Sequence, residues 1–117
     1  MNTKTKKKSK AMQILEKASG GPLTFARLIH SVRVTDEFTQ VELASVLGIS
    51  KSHLCDLEKG RRKISAERAA KFAEILGYSP EVWVSIALQD SLEPIKYLGL
   101  QVSVARTGNQ KYAASSK

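Results

Sequence analysis

The sequence predicts an all-α fold of about five helices, followed by a short C-terminal strand. Three observations carry that expectation. Apolar residues recur at helical spacing in successive segments between Phe25 and Leu92. Each segment follows a Ser or Thr placed to cap a helix, and three of them run into a glycine stop. Alternation with a period of two appears at Tyr97 to Ala105, which suits a strand.

The elements follow in chain order. Residues 1–9 (MNTKTKKKS) have no apolar periodicity and are expected to be disordered. Ala11 to Ala18 suits a short helix, ended by Gly20-Gly21-Pro22. Thr24 caps the first main helix, whose Phe25, Leu28, Ile29 and Val32 fall at i, i+3, i+4 and i+7. Thr35 to Phe38 reads as a turn. Thr39 with Glu42 forms a capping box and opens a second helix bearing Val41, Leu43, Ala44 and Leu47. Gly48 closes it, Ser50 caps a third helix to about Lys59, and Gly60 stops that one. Ser65 caps a fourth helix with Ala69, Phe72, Ala73 and Leu76 on one face, ended by Gly77. Ser79-Pro80-Glu81 opens a fifth: a cap, a proline in the first turn and an acid at the positive dipole end. Pro94 stops it.

This divides the chain into a basic N-terminal segment (1–22), a helical domain (23–93), a strand (94–105) and a disordered tail (106–117). The 117 residues suffice for one modest core. The 42% hydrophobic content is that of a folded chain, and no apolar run nears the ~20 residues of a membrane span. No secretory leader is apparent. The lone Cys55 cannot form an internal disulfide, so a reducing cytoplasm is expected, with the protein near the nucleoid. The net charge of +8 lies at the ends, since residues 23–101 hold ten basic and ten acidic residues. That middle is polarised. Lys51 to Lys63 carries five positive and two negative charges, while Glu74 to Glu93 carries four acids and no Lys or Arg. One end of the domain suits phosphate and the other does not. The Lys-rich N-terminus is either a solubilising tail or a DNA-contacting arm.

The segment Gln40 to Lys59, QVELASVLGISKSHLCDLEK, concentrates the functional signal. Ala44 must be small if the next helix packs across it. Gly48 must turn the chain sharply between the two helices. Leu43, Leu47, Ile49, Leu54 and Leu57 supply the apolar contacts that hold the pair together and bind it to the first and fourth helices. This pattern points to a DNA-reading helix-turn-helix. The competing reading is an αα-hairpin of a core without DNA function.

The segment resembles the Xre-type helix-turn-helix family, the lambda-repressor-like fold. The resemblance rests on Val32-Arg33, Thr39-Gln40, Leu43-Ala44, Leu47-Gly48-Ile49-Ser50 and Glu58-x-Gly60-x-Arg62, and it covers about residues 24–77. Two positions depart from the family. Asp36-Glu37 stands in a turn that commonly carries glycine, and Ile64 stands where proline is common before the next cap. The resemblance implies that the third helix enters the major groove. It also implies that Gln40 anchors a phosphate or supports a base contact.

On a helical wheel Leu54 and Leu57 define the buried side of the third helix. Ser52, Cys55, Asp56 and Lys59 then lie opposite, flanked by Lys51 and His53. The first residues of a recognition helix reach base edges, which selects Lys51, Ser52 and His53. Lys51 suits guanine O6/N7, Ser52 suits several edges, and Asp56 suits either cytosine N4 or a neighbouring basic side chain. Arg61, Arg62 and Lys63 follow the helix, where backbone contacts are expected; alternatively they form a solvated basic loop. Thr39 and Ser50, at the two helix N-termini, complete the candidate DNA-binding set. Cys55 is a small tolerated residue, a small residue permitting close approach to the groove, or a redox- or metal-sensing thiol. Neither His30 nor His53 lies at metal-ligand spacing, and no cofactor is expected.

One such module has modest specificity, so a homodimer reading two half-sites is expected. Val82, Trp83 and Ile86, with Leu98, Leu100, Val102 and Val104 of the strand, are the candidate dimerisation residues. A lone strand needs a partner: a symmetric mate is the simplest, and its own domain is the alternative. The function expected is a sequence-specific double-stranded DNA-binding regulator, a repressor acting by operator occupancy. The alternative is an antitoxin that binds a toxin protein and autoregulates its operon. A protein-interaction module without DNA affinity is a further possibility. No nucleophilic triad, phosphate loop or paired buried acids argue for an enzyme.

Overall fold

The computed structural model describes residues 23–107. The expected disordered start, the Ala11 to Ala18 helix and the last ten residues of the expected disordered tail lie outside them. Five α-helices follow in order: α1 Phe25–Thr35, α2 Gln40–Leu47, α3 Lys51–Glu58, α4 Ala66–Leu76 and α5 Pro80–Ser91. A 3-10 helix, Glu93–Leu98, comes last. The chain divides into two compact units, one ending at Lys63 and the other starting at Ile64. No helix among the described residues is long and apolar enough to cross a membrane.

All five helix starts are set by local chemistry. The hydroxyls of Thr24, Thr39, Ser50, Ser65 and Ser79 each accept from the amide three residues on, giving a partner to a donor the helix cannot satisfy. At Thr39 the capping box is complete, because Glu42 returns its carboxylate to the Thr39 amide at 2.9 Å.

In the first unit α1 and α2 each pack on α3. The buried stripe of α1 is Phe25, Leu28, Ile29 and Val32. Leu43 and Leu54 are wholly buried, and Ala44 supplies the small contact expected of it. Val41 does not join this core and is 61% exposed. Leu43, Ala44 and Leu47 already define the inward side, and a residue two before Leu43 is turned some 200° from it. The α2–α3 link turns at Gly48, whose φ is +74°. A Cβ there would meet nothing within 4 Å, so the glycine is needed for its left-handed backbone and not for space.

The turn from α1 to α2 uses no glycine. Glu37 takes the left-handed conformation itself, at φ 62°. The Phe38 amide bonds back to the Arg33 carbonyl at 2.9 Å, and the Arg33 guanidinium donates to the Phe38 carbonyl at 3.3 Å. These bonds hold the strained residue in place.

The second unit is a hairpin of α4 on α5. Ala69, Phe72 and Ala73 are its buried face on α4, and Trp83, Ile86 and Ala87 on α5. Tyr78 stacks on Trp83 with centroids 5.6 Å apart. The expected strand at Tyr97 to Ala105 is corrected here. Tyr97 and Leu98 belong to the 3-10 helix, and residues 99–107 carry no regular structure. A strand is defined by its ladder, and no second strand exists among the described residues to supply one.

Candidate nucleic-acid interface

The first unit builds its surface around one buried carboxylate. Glu58, the last residue of α3, has a side chain only 6% exposed. Arg33 of α1 grips it with Nε at 2.6 Å and Nη2 at 3.1 Å. His30 Nδ1 lies 3.2 Å from it, and Gln40 Nε2 donates from 3.3 Å. Burial by itself pushes this carboxyl up. Hydrogen bonds from Arg33, His30 and Gln40, with the Arg33 charge, outweigh that and hold it below the ordinary glutamate value. One anion therefore ties α1, α2 and α3 together, and its charge is spent internally.

Leu54 and Leu57 pin the other side of α3 inward. Lys51, Ser52 and Lys59 stand exposed; His53, Cys55 and Asp56 are half-exposed. Thr39 and Ser50 spend their side chains on the caps of α2 and α3. Gln40 is half-buried, with its amide held by Glu58 at the N-terminus of α2. Past α3, Gly60 turns at φ +75°, and Arg61, Arg62 and Lys63 are exposed. The Arg61 amide bonds back to the Asp56 carbonyl at 2.9 Å, and its guanidinium pairs with the Asp56 carboxylate at 3.2 Å.

Both acids of the 51–63 stretch are thus neutralised: Glu58 by Arg33 and Asp56 by Arg61. Lys51, Lys59, Arg62 and Lys63 have no ion-pair partner among the described residues. A positive surface follows the outward side of α3 and the loop after it.

Pattern reading missed how Arg33, His30, Gln40 and Glu58 converge, although Arg33 and Glu58 were both part of the resemblance. Their opposite charges at fixed motif positions were the available signal. Among the candidate dimerisation residues, Trp83 and Ile86 are buried within the chain. Val82, Val102 and Val104 are half-buried, and Leu98 and Leu100 are exposed.

Fold and surface together define a helix-turn-helix domain, with α2 and α3 as the paired helices. Residues 29–83 match the family model described as Helix-turn-helix, which is of the Xre-type, lambda-repressor-like kind. That match supports a DNA-binding transcription regulator. Neither the curated proteins nor the solved structures yield a match.

Proposed function

We propose that the chain reads a specific duplex sequence with α3 in the major groove and represses transcription by occupying its operator as a homodimer. The observation that carries this reading is the outward side of α3. There Ser52, Cys55, Asp56 and Lys59 face away from buried Leu54 and Leu57, Lys51 and His53 flank them, and Arg62 and Lys63, without an ion-pair partner among the described residues, follow. Lys51 donates to guanine O6/N7, and Ser52 and His53 reach neighbouring base edges. Arg62 and Lys63 contact phosphate, which positions the helix without reading sequence. Arg61, held by Asp56, either stays as a brace or exchanges that partner for phosphate. Thr39, Gln40 and Ser50 sit where the two helix N-termini approach the backbone.

The test compares binding of the purified protein to the DNA upstream of its own gene and to an unrelated duplex, at low and physiological salt. A preference of ~10³-fold or more that survives the higher salt is expected. Equal binding to both that salt erases would reduce the protein to a nonspecific polycation. The antitoxin alternative draws on the same fold and on the basic chain ends. Stable co-purification with the product of a neighbouring gene would favour it.

A further inference from the structure

Residues 99–107 follow α5 and the 3-10 helix without regular structure, yet they are held at two points. Gln89 of α5 donates from Nε2 to the Leu100 carbonyl at 3.0 Å and accepts at Oε1 from the Val102 amide at 2.8 Å. One side-chain amide so takes a carbonyl and an N–H two residues apart, as a residue of a neighbouring parallel strand does. Further along, Arg106 forks onto Glu81, with Nε at 2.8 Å and Nη2 at 3.3 Å. From Gln89 back to Glu81 the helix rises about 12 Å. From Val102 on to Arg106 an extended chain covers about 13 Å. The two contacts fix a course antiparallel to α5, and the spans agree with an extended segment.

Extension fixes what each edge presents. Val102 and Val104 are half-buried, while Gln101, Ser103 and Ala105 are exposed. Backbone groups of even and odd residues point to opposite edges. On the even edge Gln89 takes the Leu100 carbonyl and the Val102 amide. The N–H and C=O groups of Gln101, Ser103 and Ala105 have no hydrogen-bond partner among the described residues. Solvent-facing edges are normally guarded by charge or proline, and residues 101–105 (QVSVA) have neither.

We infer that this open edge is a self-association strand whose occupant is the same segment of a second copy of the chain, paired antiparallel about Ser103. The inference rests on the homodimer reading above and locates its interface. Charge favours the second copy. In that register Ser103 faces Ser103 of the mate and Gln101 faces Ala105, so no like charges meet across the pair. The cation nearest the pairing, Arg106, is already neutralised by Glu81. The pairing satisfies the backbone groups of 101, 103 and 105 on both copies, about six hydrogen bonds in all.

The experiment uses the full chain and reads its mass by sedimentation equilibrium across the micromolar range. The wild type is expected at twice the 12.9 kDa chain mass, and Ser103→Pro at the single mass with unchanged helical circular dichroism. Proline there removes an outward donor and leaves the Gln89 contacts in place. In a Cys55→Ser background, Ser103→Cys is expected to form a disulfide-linked dimer readily, because its two copies face each other. Gln101→Cys, facing Ala105, is expected to link far more slowly. A monomeric wild type, a dimeric Ser103→Pro, or equal linking of the two cysteine variants overturns the inference. Duplex binding measured on the same samples is a separate readout. Loss of mass with residual half-site binding leaves the DNA reading intact, and a stable dimer without DNA affinity sinks only that reading.

Discussion

Two forked arginine–carboxylate pairs, each joining residues 25 apart, hold different parts of this molecule by different physics. In the first unit Arg33 grips Glu58, whose side chain is 6% exposed. In the second Arg106 grips Glu81, whose side chain is 32% exposed. Both glutamates are held below the ordinary carboxylate range. For Glu58 the bonds from Arg33, His30 and Gln40 must first overcome burial; for Glu81 the Arg106 bond acts with little burial to oppose it. The geometry is shared and the surroundings are not. Breaking a buried pair strands a charge away from water, whereas breaking an exposed one returns both charges to solvent. The first pair is a structural joint of the helix-turn-helix. The second is a clip on a surface segment.

The largest effect expected from breaking this comparison is at Arg33. Arg33→Ala leaves Glu58 buried without its main partner and costs roughly 3 kcal/mol, read from the urea unfolding midpoint. The same joint sets an acid limit. Because the folded-state value of Glu58 is depressed, its contribution is complete above the unfolded value of about 4.3 and is lost as pH falls through the lower folded value. A Glu58→Gln variant should show a shallower loss of stability below about pH 4.3 than the wild type. Unchanged acid slopes would remove Glu58 from that role.

Next in size come the cations and polar groups that the buried joint leaves free to act outward. Lys51→Ala or Ser52→Ala should change discrimination at one base pair by about 1–3 kcal/mol while random-duplex binding changes less. Arg62→Ala should instead weaken binding to all sequences and lower the salt slope by about one. Identical effects of both kinds of change on specific and random duplexes would displace α3 as the reading element. A smaller gain is expected at the α1–α2 turn. Glu37→Gly relieves a left-handed residue at φ 62° and should raise stability by roughly 0.5–1 kcal/mol. Smallest is Glu81→Gln, which should leave the global unfolding midpoint unmoved. It should speed amide hydrogen exchange at Val102 and its neighbours as the clip loosens.

The absence of glycine at Asp36-Glu37 was visible as a departure in the chain itself, but its consequence was not. The turn keeps a left-handed residue and places glutamate in it, because Arg33 ties down both sides through its own carbonyl and the Phe38 carbonyl. The expected strand shows the opposite failure. Alternation at Leu98, Leu100, Val102 and Val104 was read as β structure, but only Val102 and Val104 of the four turn toward the protein, while Leu98 and Leu100 are exposed. Whether a segment becomes a strand depends on what meets its backbone, and here that is the side chain of Gln89.

The sequence by itself determined where the helices begin and turn. Thr24, Thr39, Ser50, Ser65 and Ser79 each act on an amide three residues away, and Gly48, Gly60 and Gly77 act through their own φ. Such local interactions survive any arrangement of the rest of the chain, so a linear reading recovers them. It also determined the outward side of α3, because Leu54 and Leu57 leave the helix only one way to face. Only the tertiary structure decided that Arg33, His30 and Gln40 would meet at Glu58, or that Gln89 and Glu81 would clip an extended segment to α5. Those contacts join residues 11 to 28 positions apart, and their partners are chosen by which surfaces pack together. Packing is a property of the whole unit, and no window of the sequence contains it.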